Sequence, residues 1–289
     1  MNDLKIKEFL PKKIIKDYSG SQERELYGTT NTMLSHCTFL GPGESPVKDC
    51  NHVVCYKSRI KARYAFWENK NLVLNECLLA TTDRAPLWYT HSFVIKKSRM
   101  YCPKGLRECS DMKIVDSLLH GTECLWQINR FEVDNLDLVS YYPFLECNYG
   151  KINKLKMKGK YSFQHCHDIE ITNSNLDTKD AFWHSKNIIV KDSFIKGEYV
   201  AWYSEDLTFI NCTFSGTQPF VSSKNIKFID CTFLKDTDRA FEKSTASGTL
   251  KNLPYSLYNP KKISFTVDDD KTIIEKPGLN KNCIKIKKR

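Results

Sequence analysis

Asn187-Ile188-Ile189-Val190-Lys191-Asp192-Ser193-Phe194-Ile195 is followed nineteen residues later by Asp206-Leu207-Thr208-Phe209-Ile210-Asn211-Cys212-Thr213-Phe214. After nineteen more comes Asn225-Ile226-Lys227-Phe228-Ile229-Asp230-Cys231-Thr232-Phe233. One pattern is written three times. A fixed period near twenty residues is the signature of a solenoid in which each repeat is one coil. Working backwards from Ile226, the same anchor falls at Leu207, Ile188, Ile169, Gly150, Phe131, Met112, Phe93, Leu72, Val53 and Thr32, with eight steps of nineteen residues and two of twenty-one.

Two residues after each anchor the side chain is always apolar, from Leu34 and Cys55 to Ile171, Val190, Phe209 and Phe228. Seven after, it is apolar again, from Phe39 and Ile60 to Ile195, Phe214 and Phe233. A spacing of two belongs to strands, since a helix repeats its apolar face at three and four. Asn and Asp recur just before the anchor and four after it, where tight corners need residues that tolerate left-handed backbone. A third apolar column (Val47, Phe66, Leu87, Leu106, Leu125, Phe144, Phe163, Phe182, Ala201, Phe220) lies six before the next anchor. The expected fold is therefore an all-β, single-stranded, right-handed parallel β-helix of about eleven coils with three strands per coil and a 19–21-residue repeat, the hand following from parallel crossovers. Eleven coils predict a rod about 50 Å long.

The predicted boundaries are an N-terminal cap over residues 1–25, coils over 26–243, and a C-terminal cap with a basic tail over 244–289. The long steps place short outward loops at Gly41-Pro42-Gly43 and Thr81-Thr82-Asp83, and Pro254, Pro260, Pro277 and Gly278 break the last segment. No apolar run reaches a membrane-spanning length. The start of the chain carries Lys5, Lys7 and Glu8 instead of the apolar core of a secretion signal. These features predict a cytoplasmic protein with no membrane partner.

Among twelve cysteines, most share a column with serines: Cys37, Cys77, Cys212 and Cys231 with Ser58, Ser98, Ser117, Ser174 and Ser193, and Cys50, Cys109, Cys147 and Cys166 with Ser185, Ser204 and Ser223. They read as small free thiols filling coil corners. No Cys-x-x-Cys spacing occurs, so neither zinc nor another cofactor is expected. The net charge is +10, with clusters at Lys151, Lys154, Lys156, Lys158 and Lys160 and again from Lys281 to Arg289. Such runs contact phosphates in some proteins. On a solenoid they are more simply solvated faces that blunt sheet edges, and nucleic acid is not an expected partner.

Ser19-Gly20-Ser21-Gln22-Glu23-Arg24-Glu25-Leu26-Tyr27-Gly28 resembles the opening of a bacterial family known as domain of unknown function 3737. Glu44-Ser45-Pro46-Val47-Lys48-Asp49-Cys50 and Gly197-Glu198-Tyr199-Val200-Ala201-Trp202-Tyr203-Ser204 resemble its later motifs. The resemblance covers roughly Tyr18 to Phe241 and implies a pectin-lyase-like right-handed β-helix. It brings no catalytic residues with it.

All five tryptophans fall five residues before an anchor: Trp67, Trp88, Trp126, Trp183 and Trp202. Next to a buried column, strand alternation turns them outward. Trp67/Trp88 and Trp183/Trp202 then sit on adjacent coils, as a surface on which the apolar faces of sugar rings can stack. A half-buried aromatic ladder is the structural alternative. Asp180 and Glu198 lie just upstream, and His184 and Tyr203 adjoin the pair. These eight residues (Trp183, Trp202, His184, Tyr203, Asp180, Glu198, Trp67 and Trp88) form the candidate ligand face. Further polar groups flank the column: Asp83, Arg84, Glu123, Asp238 and Arg239. Opposed carboxylates would suit glycoside cleavage, and an acid beside a cation would suit lyase-type proton abstraction. Glu146, His165 and His184 have metal-ligand chemistry. No phosphate loop, serine elbow or kinase motif is present. Two functions stay open: a carbohydrate-binding or polysaccharide-processing protein using the Trp face, and a non-enzymatic scaffold that docks a protein partner. A shared fold alone selects neither.

Overall fold

The structure, a computed structural model, describes residue 6 and residues 9–80, 84–275 and 283–289. Lys5, Lys7, Glu8, the loop at Thr81-Thr82-Asp83, the breaks at Pro277 and Gly278, and Lys281 lie outside the described residues. The chain forms two compact units, residues 1–151 and 152–289. Each is a parallel β-helix, and no α-helix occurs among the described residues.

In the N-terminal unit, strands Thr30–Ser35, Asn51–Tyr56, Lys70–Asn75 and His91–Lys96 pair in succession. Their register is Thr32↔Val53, Val53↔Leu72 and Leu72↔Phe93. A second ladder aligns Phe39, Ile60, Leu79 and Met100. Leu34, Cys55, Leu74 and Ile95 are buried, while Val54, Val73 and Val94 between the inward positions are only half-buried. The columns of the sequence are thus the columns of the sheet. Gly150, the one anchor without a side chain, leaves room for Phe131: a Cβ there would sit 2.2 Å from its ring.

The C-terminal unit continues the same logic with larger side chains. Ile171 pairs with Val190, Val190 with Phe209, and Phe209 with Phe228. Phe209/Phe228 and Phe214/Phe233 stack at 5.6 and 5.1 Å, and Phe220/Phe241 at 5.2 Å, filling the interior with rings. At one corner Asn173, Asp192, Asn211 and Asp230 all have φ near +50°. Asn211 donates to Asp192 at 2.8 Å, so the alternation of amide and acid keeps like charges from facing each other on adjacent coils.

Two expectations are corrected. The coils do not stop at eleven: the described residues hold about 14 turns. Lys13–Lys16 pairs in register with the next coil, Lys13↔Thr32 and Ile15↔Leu34. Beyond Phe241 the ladder runs through Thr245–Asn252, Lys262–Asp269 and Ile284–Lys288. The steps there are Ile226↔Ala246, Ala246↔Ile263 and Ile263↔Ile284, no longer nineteen residues, which is why the pattern fades in the sequence. Second, the third apolar column is not a strand. Tyr161, Phe163 and His165 have φ of 50°, 55° and 54°, and Tyr199, Ala201 and Tyr203 have 59°, 58° and 56°. Every second residue is left-handed, a conformation costly for bulky side chains. Bonds between coils hold it: Phe182 N–H to Ser162 O at 2.8 Å and Ala201 N–H to Ala181 O at 2.7 Å.

The Ser/Cys column at the following corner does more than fill space. Ser185 donates its hydroxyl to Phe163 O at 2.6 Å, and Cys109 and Cys147 direct their thiols at Leu87 O and Leu125 O at 2.8 and 2.9 Å. Serine and cysteine interchange because each is small and carries one donor. Eleven of the twelve free cysteines are buried and Cys283 is partly exposed. Burial pushes the Cys50 and Cys109 thiols up to about 12 and Cys124 up to about 11. A thiol reagent at pH 8 is therefore expected to label Cys283 fast and the other eleven at least a hundredfold more slowly. All twelve should react after denaturation. Rapid labelling of several cysteines in the native protein would contradict this core.

Candidate functional site

The alternating left-handed segment sets the direction of the tryptophans. Each occupies the position between two positive-φ residues, as Trp183 lies between Phe182 and His184 at 62° and 52°. In the N-terminal unit, Trp67 and Trp88 stack at 5.3 Å with planes 4° apart. The Lys48 ammonium lies 5.7 Å from the Trp67 ring. The Arg107 guanidinium is sandwiched between Trp88 and Trp126, at 4.7 and 4.3 Å. Glu123 holds Arg107 and Lys104 at 3.5 and 3.1 Å. The indole N–H of Trp67 donates to Ala85 O at 2.5 Å, that of Trp88 to Lys104 O at 2.7 Å, and that of Trp126 to Tyr142 O at 2.6 Å.

The C-terminal unit repeats the arrangement. Trp183 and Trp202 stack at 5.5 Å, 3° apart, and donate to Tyr199 O and Gln218 O at 2.9 and 2.8 Å. Tyr199 packs edge-on against Trp202 at 5.0 Å. These rings are half-buried. Each indole has one broad face stacked on the other along the ladder. Their N–H groups are occupied too.

A second ladder runs one residue further along the chain, on the outside. His165 and His184 stack at 5.1 Å, 2° apart, and His184 and Tyr203 at 5.1 Å, 8° apart. His184 is exposed and Tyr203 is 51% exposed. The next coil carries Ser222 at this column and the one after it Lys243. Ser222 N–H donates to Glu242 O at 2.7 Å, which keeps the coils in step.

The other sequence candidates separate. Glu198 forms an ion pair with Lys179 at 2.9 Å, and the Lys179 ammonium lies 4.9 Å from the Tyr199 ring. Asp180 is buried, 3% exposed. Burial raises the Asp180 pKa, partly opposed by Lys179 and Lys160 and reinforced by Glu198. Arg84 is exposed and Arg239 stacks on Tyr258 at 4.5 Å. Asp83 lies outside the described residues. Glu146 accepts from Gln127 at 2.9 Å, and the rings of His165 and His184 are parallel rather than convergent. Among the described residues no group of three acidic, His or Cys side chains is placed to hold a metal.

The raised pKa makes a prediction. A carboxyl whose folded pKa lies above its unfolded value costs stability at pH values above both and nothing below both. Asp180→Asn is therefore expected to be more stable than the parent at pH 7 and equal to it at pH 3, in paired urea titrations. A destabilised variant at pH 7 would mean that the carboxylate is bound by partners that offset its burial.

Sequence reasoning found both ladders' residues and missed what joins them. The offset from each indole to its acceptor carbonyl, sixteen residues for four of them and eighteen for Trp67, has no side-chain signal, because the acceptor is backbone. Arg107 stands five residues before the anchor Met112, the Trp position of its coil, but its place between two rings has no sequence signal.

A search of curated proteins gives no match. Among solved structures, the chain is similar to the tailspike protein of Escherichia coli bacteriophage HK620, solved with a hexasaccharide, at 8% identity and TM-score 0.45 over 89% of this chain and 68% of that one. It is similar to HetL, a pentapeptide repeat protein from the cyanobacterium Nostoc, at 8% identity and TM-score 0.27 over 81% of this chain and 88% of that one. A GH87 α-1,3-glucanase catalytic domain gives 6% identity and TM-score 0.30 over 95% of this chain and 63% of that one. A family model matches residues 13–287, and the chain belongs to that family, described as protein of unknown function DUF3737.

Proposed function

We propose that the protein binds carbohydrate along the His184–Tyr203 side of its C-terminal unit. The ring of Tyr203 carries this reading: it is 51% exposed, among the described residues its one stacked partner is His184 on the preceding coil, and a small residue follows it in the column. An open aromatic face is the surface that the C–H face of a pyranose covers. Trp183 and Trp202 act beneath it, as the rigid support that fixes Tyr203, which packs edge-on against Trp202 at 6.3 Å. Glu198 with Lys179 supplies polar groups on the neighbouring corner.

A glycan array followed by calorimetry on the best probe tests the reading. Tyr203→Ala is expected to weaken binding at least tenfold while leaving the urea midpoint nearly unchanged, since the ring is mostly outside the core. Undiminished binding by that variant would remove this side of the molecule. A protein-docking scaffold is the second reading, favoured by Ile189 and Ile229, 38% and 46% exposed on the outward sheet of the same unit. An array without hits would turn attention there.

A further inference from the structure

We infer that the sheet face of the last four coils docks on an anionic lipid surface. The face lies on the strands and not on the left-handed segment of Tyr203, so this inference is independent of the carbohydrate reading. Residues 224–230, 245–252, 261–270 and 283–289 run side by side, with Lys227, Ser247, Ser264 and Lys285 in one outward row and Thr249, Thr266 and Lys287 in another. These segments carry nine lysines and arginines and four aspartates, a surplus of five positive charges. Glu205 and Asp206 on the coil before reduce the surplus to three, and Lys186 holds both of them, at 3.9 and 3.7 Å. Three of the four aspartates are held within the face. Arg289 binds Asp230 and Asp268, the second at 3.4 Å, and Lys288 lies 3.7 Å from Asp270. Lys227, Lys262, Lys285 and Lys287 are exposed and form no ion pair among the described residues.

Protection of a sheet edge does not account for these lysines. Lysines guard a terminal strand against unwanted pairing, and Lys285 and Lys287 stand on such a strand. Lys227 and Lys262, however, stand on strands that are paired on both sides. With Lys251, the rows spread the charge over about 14 Å across the coils and about 20 Å along the strands. A two-dimensional array of cations matches a planar array of headgroups. A nucleic-acid duplex is a cylinder and meets such a face along one line. Between the lysines lie Ser247, Ser264 and Thr266, whose hydroxyls can donate to phosphate oxygens. No aromatic ring on which a base could stack lies among these outward residues. Ile229, 46% exposed and two residues from Lys227, adds an apolar contact at the same surface. The sequence expectation of no membrane partner rested on the lack of a spanning segment, which a peripheral contact does not need.

Vesicle co-sedimentation tests the face. The probes are phosphatidylcholine vesicles with and without about 30 mol% phosphatidylglycerol. The parent should bind the anionic vesicles at least tenfold more tightly than the neutral ones. It should lose that preference when salt shortens the Debye length to about 3 Å. A lysine near an anionic surface is worth roughly a fivefold change in partitioning. Lys262→Gln/Lys285→Gln should therefore weaken binding at least tenfold, while the charge-keeping Lys262→Arg/Lys285→Arg should bind as the parent does. Lys154→Gln/Lys158→Gln removes two exposed lysines elsewhere in the same unit and should change binding less than threefold. Equal binding of neutral and anionic vesicles overturns the inference. So does a loss in the Lys154/Lys158 variant as large as that in the Lys262/Lys285 variant, which would make net charge alone responsible. Tighter binding of a short DNA duplex than of the vesicles, abolished by Lys262→Gln/Lys285→Gln, would give the face to nucleic acid and overturn it as well.

Discussion

Ile171→Asp should unfold the C-terminal unit under conditions in which the parent is fully native. Ile171 is fully buried and lies in register with Val190 on the next coil. The substitution removes the burial of a branched side chain and places a carboxylate in an interior with no cation to meet it. An uncompensated buried charge costs roughly 3–5 kcal/mol, and the lost apolar burial adds about 2 kcal/mol. The sum is comparable to the whole stability of a typical domain. Because a solenoid's stability is carried by contacts between neighbouring coils, the damage should spread to the adjacent coils. Ile171→Val is the control and should cost only about 1 kcal/mol. Urea melts followed by circular dichroism read both. An Ile171→Asp protein that melts with the parent would place residue 171 on the surface and undo the column assignment.

How much of this was legible depended on whether a feature repeats in side chains. Ile171, Val190, Phe209 and Phe228 recur every nineteen residues with the same character, so the sequence alone places them in one inward column. The coils after Phe241 use steps of other lengths, and Ala246 and Gly248 stand where larger apolar residues would mark the anchor, so the coil register fades there although Ile263–Val267 and Ile284–Lys287 still alternate as strands. The third side of each coil was misread for a related reason. Phe163 and Phe182 announce burial but not backbone sign, and only the structure shows the alternation of φ at Tyr161, Phe163 and His165. Under the proposed function, Trp183 and Trp202 serve as a support and the ligand face lies one residue on, at Tyr203. Glu198 and Asp180 were adjacent in the reading, yet one is ion-paired and the other buried, a distinction that depends on the coil corner and not on spacing.

The paired substitution Trp183→Ala/Trp202→Ala separates support from platform. Each indole is half-buried, stacks on the other at 5.5 Å and donates to a backbone carbonyl of the following coil. Removing both deletes one aromatic pair, worth about 1 kcal/mol beyond its area, and two hydrogen bonds of about 1 kcal/mol each. It also leaves a trough along the corner where large apolar surface was covered, for which a further ~2–3 kcal/mol is a reasonable scale given partial exposure. The pair should therefore destabilise the unit by roughly 5 kcal/mol, against a small change for Tyr203→Ala. Each single substitution should cost more than half of the double, because the partner's stacked face is lost either way. If the indoles were instead a free ligand platform, the double variant would melt close to the parent and lose binding alone. Equilibrium melts of the two single variants, the double variant and Tyr203→Ala decide between these outcomes without any ligand.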